Sequence, residues 1–426
     1  VLFVGPTGTG KSAIILNYLV GLAKDKFIAN VINFSARTSA NQTQEIIMSK
    51  LDRRRKGVFG PAMGKQCVLF VDDLSMPQKE TYGAQPPIEL LRQWIDHRHW
   101  YDLKDTTRLD LVDILFVGAM TPPGGSSNVV TFRFTRHMNI ISIDAFDEST
   151  LSKIFTCIMD WHFAKGFDEK VSRLSKMVVY ATMEVYQQAV KNFLPTPSKS
   201  HYTFNLRDFS RVIQGLLLVP SSRIPEPEKL MRLWVHETCR VFNDRLIDQD
   251  DRETFFKIVK DACYNNIRSR MDNFLSDLIP EGESMLKIDH LRSLFFGNYM
   301  EPDADPKIYD EVTDLQLLND RMQYYLEEYN TLTQTPMPLV MFKFIIEHIS
   351  RISRVLQQDN GHCLLVGIGG SGRQSSTKLA TAMAEYVLFQ IEIVRNYSMT
   401  EWREDVKSLL RRAGCDGKHQ VFLFAD

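Results

Sequence analysis

Apolar residues recur along this chain with two periods. Short runs rich in β-branched residues, Val1 to Val4 (VLFV), Cys67 to Asp73 (CVLFVDD) and Asp113 to Ala119 (DILFVGA), have the length of buried strands. Phe27 to Phe34 (FIANVINF) alternates apolar and polar positions as another strand, and Met138 to Ile143 reads as a fifth. Between them, Ala13 to Ala23, Ser39 to Leu51 and Pro87 to Trp100 carry helical spacing, the last with Ile88, Leu91 and Ile95 on one face. Strands alternating with helices predict an α/β unit, a five-stranded parallel sheet with helices on both faces. Beyond Asp147 only the helical period remains, in Ser149 to Phe163, Val171 to Phe193, Leu206 to Leu218 and Glu226 to Ile247. Asp261 to Leu294 continues helical, and Tyr299 to Asp305 reads as a polar, proline-bearing connection. The expected divisions are 1–146, 147–298 and 299–426.

The turn after the first strand changes this picture most. VLFVGPTGTGKS fits GxxxxGK[ST], the phosphate-cradling P-loop, here set between an apolar strand and a helix. In the loop Gly5, Pro6, Thr7, Gly8, Thr9, Gly10, the glycines turn backbone N–H groups toward phosphate oxygens; Lys11 reaches the β- and γ-phosphates, and Ser12 offers Mg²⁺ a hydroxyl. CVLFVDD has the form of a Walker B strand, which brings Asp72 to the Mg²⁺ shell and Asp73 to the attacking water. Thr121 to Gly125 is a turn at the end of the fourth strand. Arg133 and Arg136 precede the fifth strand, placed either as solvated rim residues or to project to a neighbouring subunit's nucleotide. Arg207 and Arg211, at i, i+4 on one helix, are either surface arginines or a phosphate sensor. Arg53 to Lys56, RRRK, reads as a solvated helix end.

Roughly 360 residues after the first P-loop, His362 to Ala380 (HCLLVGIGGSGRQSSTKLA) repeats strand, glycine turn and helix, and Val421 to Asp426 (VFLFAD) repeats the Walker B form up to its first acid. The chain therefore reads as one module and the first part of another. With no initiator Met and both ends inside apolar runs, it is expected to be a piece of a longer polypeptide. Composition fits a globular chain, 44% apolar and 24% charged, and a net charge of −1 gives no global field for nucleic acid or anionic lipid. Neither partner is expected, and no apolar run has membrane-spanning length. Six scattered cysteines without CxxC or zinc spacing read as reduced core thiols of a cytosolic protein.

These motifs, in this order, resemble the AAA+ ATPases. INFSARTSANQTQ from Ile32, RRRKGVFGP from Arg53, YGAQPPIELLRQWIDHRHWYDLKD from Tyr82 and GIGGSGRQS from Gly367 are similar to dynein heavy chain in its axonemal branch, over nearly the whole chain. The resemblance implies the third AAA+ module, a helical lid, and the front of the fourth module, in a ring of six on one chain. It implies ATP or ADP with Mg²⁺ as cofactors. It also implies neighbouring modules, microtubules reached through a stalk absent here, and intermediate and light chains as partners. Localisation would be cytoplasm, cytoskeleton and the axoneme of cilia and flagella, with minus-end-directed motility as the function. Residue by residue, Thr121 falls at sensor I, Arg207 at sensor II, and Arg136, or else Arg133, at the arginine finger serving the preceding module. In the second loop Gly367, Gly369, Gly370, Gly372, Arg373 and Ser375 are candidate nucleotide contacts.

The departures from the family pattern predict slow chemistry. Asp73 replaces a catalytic Glu with a side chain one methylene shorter, Thr121 replaces Asn, Arg373 replaces Lys, and Gln374 removes the Mg²⁺ hydroxyl, with Ser375 one place late. The first site is expected to bind Mg·ATP and to act as a slow gate. The isolated chain is expected to be nearly inactive, because the finger for this site would come from beyond Asp426. The alternative is a nucleotide-holding module that only braces a ring. A small GTPase is excluded by the absence of an NKxD motif, and a P-loop kinase would need an acceptor site.

Overall fold

A computed structural model describes residues 1–124, 127–391, 395 and 397–425. They form two compact units, 1–147 and 148–426. In the first, β1 (Leu2–Val4), β2 (Phe27–Asn33), β3 (Gln66–Asp72), β4 (Ile114–Met120) and β5 (Ile140–Ser142) make one sheet in the order β2-β3-β4-β1-β5. Every pairing is parallel, so all five strands deliver their C-terminal residues to the same edge.

Helices cover both faces, as the alternation of strand and helix predicts. On one face α1 (Lys11–Val20) sets Ile15 and Leu19 against Val68, Phe70 and Ala119. On the other, α2 (Ala40–Met48) and α3 (Pro86–His97) bring Ile47, Ile88, Leu91 and Trp94 into one core with Cys67, Leu69 and Val71. Successive residues of β3 thus feed opposite cores, which is why the strand reads as unbroken apolar sequence. Each such buried side chain contributes about 1.5–3 kcal/mol relative to exposure. Ser39 caps α2 by accepting from the Gln42 N–H at 3.2 Å, and Pro86 opens α3 where no intrahelical N–H is needed.

The RRRK run is not a helix end. Asp52–Arg55 pairs antiparallel with Val58–Gly60, within a four-stranded insert completed by Arg108–Leu111 and His99–Tyr101. Arg54 turns inward, its guanidinium 2.6 Å from Asp113 and donating to the Pro61 carbonyl at 3.0 Å. Strands of three or four residues with charged members carry too little periodicity to be seen in the sequence. The cysteines also differ from a uniform set of core thiols. Cys67, Cys239 and Cys263 are buried, whereas Cys157, Cys363 and Cys415 are exposed.

The second unit begins as a helical array: α4 (Glu148–Phe163), α5 (Ser175–Asn192), α6 (Leu206–Leu216), α7 (Pro227–Val241) and α8 (Gln249–Ala262). After α8 the expected helix gives way to short turns, among them Met271–Phe274 and Ile288–Ser293. Tyr299, read as part of a polar connection, is buried and donates to Ser350 Oγ at 2.9 Å. The chain then forms α9 (Leu315–Leu332), α10 (Lys343–Leu356), α11 (Arg373–Met383), α12 (Met399–Gly414), and a parallel pair of strands, Val387–Gln390 with Gln420–Leu423. The strand expected before the second glycine turn does not form among the described residues: His362 to Ile368 pairs with no neighbour, and Leu364, Val366 and Ile368 are exposed. A strand exists only through hydrogen bonds to another strand, which no sequence run can supply for itself. Asp426 lies outside the described residues.

A buried polar cluster ties α7 to α10. Glu237 accepts from Arg354 Nε at 2.8 Å and from Arg354 Nη2, from Tyr309 Oη at 2.9 Å and from His236 Nδ1 at 3.1 Å. Burial pushes the Glu237 carboxyl up, but the Arg354 charge and these hydrogen bonds outweigh it and bring it down to about 2. Burial takes His236 down to about 4, so its ring is neutral near pH 7. Gly215 of α6 makes room for the acid, since a Cβ there would lie 1.8 Å from Glu237 Oε2.

Two outcomes follow for solution stability. Arg354→Met strands a buried carboxylate and should cost about 3–5 kcal/mol in urea unfolding, much of it recovered in the double variant with Glu237→Met. The pH dependence has two parts. His236, depressed below its ordinary 6.5, makes stability fall as pH drops from 6.5 toward 4. The Glu237 contribution, complete above 4.5, is lost as pH falls toward 2. Replacing His236 with Gln should flatten only the upper part of a stability–pH profile.

Candidate functional site

The turn leaving β1 is held on two sides. The Gly5 N–H donates to the Met120 carbonyl at 3.3 Å, and a Cβ on Gly5 would lie 2.1 Å from the Ile143 carbonyl oxygen, so the chain leaving β5 passes too close for any other residue. Gly8 (φ 89°) and Gly10 (φ 76°) adopt the left-handed conformation that curls the loop back on itself. Thr9 is buried and its hydroxyl donates to the Pro6 carbonyl at 3.0 Å, while Pro6 and Thr7 face solvent. Lys11, the first residue of α1, is buried to 8% exposure, and its Nζ donates to the Gly5 and Pro6 carbonyls at 2.7 Å each. Ser12 follows at the second helical position, where the helix presents unpaired N–H groups.

The other predicted residues of this unit gather at the same sheet edge. Asp72 ends β3, and its Oδ1 accepts from the Asp73 N–H at 3.0 Å. Asp73 has φ 52°, a left-handed conformation that Asp adopts with less strain than most side chains. The chain is pinned straight afterwards, where the Leu74 N–H donates to the Ala119 carbonyl at 3.0 Å. Thr121 follows β4, its hydroxyl bonded to that of Ser127, which in turn lies 3.4 Å from the buried Ser75 hydroxyl. Gly125, the end of the predicted turn, lies outside the described residues. Ser75 and Ser127 carry no sequence signal; only the fold joins them to Thr121.

Arg133 and Arg136 flank the buried Phe134 in a short helix, Phe132–Thr135 with Arg136 as its C-cap, and point to α3. Arg136 Nη2 is 3.2 Å from Asp96, and Arg133 Nη2 is 3.7 Å from Glu89. Arg207 belongs to the second unit. It is exposed on the first turn of α6, after an Asn205 and Asp208 capping box whose acid is gripped by Arg245.

The second glycine turn copies the first in backbone. Gly370 (φ 79°) and Gly372 (φ 75°) repeat Gly8 and Gly10, and α11 starts at Arg373 as α1 starts at Lys11. Even the side-chain contact is repeated: Arg373 Nη2 donates to the Ile368 carbonyl at 3.4 Å, the counterpart of Lys11 on Pro6. Gly367 and Gly369 complete this loop. Gln374 and Ser375 occupy the next helical positions, so the register leaves no hydroxyl at the place of Ser12.

The donor set fits a nucleotide with a hard divalent cation. Two glycines hold the loop open, one ammonium is buried at its centre, and a hydroxyl and a carboxylate offer oxygen ligands. Mg²⁺ keeps water and phosphate oxygens for the rest of its shell. No group of three or more His, Cys, Asp or Glu side chains among the described residues could hold a metal by itself.

A P-loop at the end of one parallel strand, acids at the end of another strand of the same sheet, and a helical array following in the chain define an AAA+ P-loop module. Comparison with known proteins carries this further. Residues 1–146 match the family described as "P-loop containing dynein motor region", residues 178–275 the "AAA+ lid domain", and residues 337–426 the "P-loop containing dynein motor region D4". The chain is 62% identical over all its 426 residues to dynein axonemal heavy chain 3 of Homo sapiens, covering 10% of that protein. It is 51% identical over 411 residues, 96% of the chain, to dynein axonemal heavy chain 12 of Rattus norvegicus, of which it covers 13%. It is also 45% identical over 438 residues, 100% of the chain, to dynein axonemal heavy chain 1 of Mus musculus, of which it covers 10%. The chain belongs to the dynein heavy chain family, axonemal type. It spans about a tenth of the length of the relatives it matches. No helix among the described residues is long and apolar enough to cross a membrane.

Gly5→Ala tests the packing of the P-loop. A methyl group 2.1 Å from a backbone oxygen has no flexible neighbour to displace, so loop or β5 must move. A loss of about 1–3 kcal/mol in urea unfolding is expected, together with loss of nucleotide retention on gel filtration.

Proposed function

We propose that the first P-loop holds Mg·ATP and hydrolyses it slowly, as a regulatory site of a dynein motor ring. The carrying observation is a complete phosphate cradle beside a shortened acid. Lys11, buried among loop carbonyls, supplies the charge facing the β- and γ-phosphates; the loop from Thr7 to Gly10 supplies backbone donors, and Ser12 and Asp72 the Mg²⁺ ligands. Asp73 is the residue that would orient the attacking water. Its carboxylate is set on a left-handed backbone one methylene short of a Glu. That geometry supports binding more than turnover. Thr121, hydrogen-bonded to Ser127 rather than presented as a carboxamide, takes the sensor I place. Arg207 is the proposed sensor II arginine and Arg136 the proposed finger for the preceding module's nucleotide.

The module count belongs to the same proposal. The chain carries the third AAA+ module, its lid over 147–298 and the front of the fourth over 299–426. A match to the description "D4" over 337–426 supports that order. In the second loop, Gly367, Gly369, Gly370, Gly372, Arg373 and Ser375 would hold nucleotide without efficient chemistry, because a planar guanidinium replaces the compact ammonium and the Mg²⁺ hydroxyl is missing. Fast hydrolysis would occur in a module outside this chain. The parent protein would work in the ciliary or flagellar axoneme, with microtubules, intermediate and light chains and its own neighbouring modules as partners.

The test is nucleotide content after purification, followed by single-turnover hydrolysis in the full-length heavy chain. Lys11→Ala should lower affinity at this site roughly tenfold or more. Asp73→Asn, which keeps the backbone conformation, should keep affinity, slow the residual hydrolysis by about 10²-fold, and alter motility. Unchanged motility in Asp73→Asn would favour a module that only braces the ring.

A further inference from the structure

One face of α3 carries three charged residues a turn apart, Glu89, Arg92 and Asp96. Arg92 joins the two acids, with Nε 2.6 Å from Glu89 and Nη1 2.9 Å from Asp96 Oδ2. The other oxygen of Asp96 stays available to the turn beyond. It receives His137 Nε2 at 2.6 Å and Arg136 Nη2 at 3.2 Å. Asp96 is therefore a shared anchor for three basic side chains, and its own side chain is only 11% exposed. Arg136 keeps 49% of its side chain exposed, with Nη2 on Asp96 and Nε 3.1 Å from His137 Nε2, itself held by the same acid.

Arg133 is held differently. Its ion pair to Glu89 is 3.7 Å long, and 66% of the side chain is exposed. Phe134 between the two arginines is fully buried and meets Phe116 edge-on at 5.9 Å, so the backbone of this turn is fixed while the arginines differ. Around the cluster the face is open: Glu89, Arg92 and His97 line a surface groove of about 450 Å³ together with Glu80. Within the ion-paired cluster itself, Glu89 and Asp96 face Arg92, Arg133 and Arg136, with Glu80 on the groove wall beside them.

We infer that Asp96 is a positioning residue: it fixes the direction of Arg136, so that the guanidinium meets a phosphate of the neighbouring module already oriented. This deepens the finger reading given above and rests on it. The physical reason is entropic. A free arginine loses its rotamer freedom when it is pinned. A side chain ordered before docking does not lose that freedom again on contact. An isolated surface ion pair would contribute little, but a nearly buried acid shared by several cations holds its geometry. Asp96 acts only through Arg136 and touches no nucleotide.

The experiment uses the heavy chain with its preceding module in place and Lys11→Ala to silence the first P-loop of this chain. Release of a fluorescent ATP analogue from the preceding site is then followed by stopped flow. Arg136→Ala should speed release roughly tenfold, the scale of a charge-assisted hydrogen bond. Asp96→Asn should speed it about three- to fivefold, and Asp96→Glu should restore most of the parent rate. On the Arg136→Ala background Asp96→Asn should add nothing, because the two act as one unit. A purely structural role for Asp96 would instead add in full, and that result overturns the proposal, as would an Asp96→Asn rate equal to the parent's while Arg136→Ala is fast. If Arg136→Ala releases at the parent rate, the finger reading itself is wrong and Asp96 has nothing to position. The comparison between backgrounds stays decisive even where Asp96→Asn lowers the melting temperature.

Discussion

β1 is hydrogen-bonded on both flanks, to β4 through Leu2 to Val4 and to β5 through the same residues. A three-residue strand clamped in this way has no freedom to shift, and the turn that leaves it starts from a fixed point. The proposed chemistry depends on that clamp. Because every strand of the sheet runs parallel, the ends of β1, β3, β4 and β5 reach one edge, and the P-loop, Asp72, Asp73 and Thr121 are carried there together. Parallel α/β sheets place ligands at such an edge because strand ends, helix N-termini and loops converge on it. Gly5 shows how narrow the tolerance is, with the chain leaving β5 so near that a single methyl group would meet a backbone oxygen.

The second unit is organised around a different constraint, the burial of charge. Glu237 is fully buried, and its partners Arg354, Tyr309 and His236 are buried with it. In a medium that solvates ions poorly, such a cluster is tolerable only when each polar atom has its partner. Its geometry therefore specifies how α7 meets α10. From α10 the packing continues to the second glycine turn, where the Ile345 side chain lies within 3.5 Å of the place a Cβ on Gly372 would occupy. The helical array and the second P-loop helix thus share one framework. The two P-loops themselves show that backbone shape and chemical competence are separable: the left-handed glycine conformations repeat, while the side chains at the functional positions do not.

Much of this was legible in the residues. The P-loop, the paired acids and five apolar runs sufficed for the sheet and its class, since a buried parallel strand must be apolar on both sides and a phosphate turn must be glycine-rich. Long helices with Asn, Asp or Ser at their starts, such as α6 after Asn205, were legible for a similar reason: capping and periodicity are local. The insert was not. Asp52–Arg55 looks like a basic helix end because three arginines in a row have no period, and only its antiparallel partner makes it a strand. Tyr299 sits in a polar context along the chain, yet it is buried by α10, which is distant in sequence.

By itself, then, the sequence determined which residues have the chemistry to hold a nucleotide and that the pattern occurs twice, because those properties belong to residue type and short-range order. Tertiary structure decided the rest. It set Asp73 on a left-handed backbone, joined Thr121 to Ser127 and Ser75, turned Arg54 inward to Asp113, and left the run before Gly369 without a strand partner. It also distinguished Arg136 from Arg133, which are equivalent along the chain, by facing one with the nearly buried Asp96 and the other with a more distant Glu89. The long-range ones, Arg54 with Asp113 and Arg136 with Asp96, join residues about 40 to 60 apart in the chain. A linear sequence carries no distance of that kind until the backbone has folded.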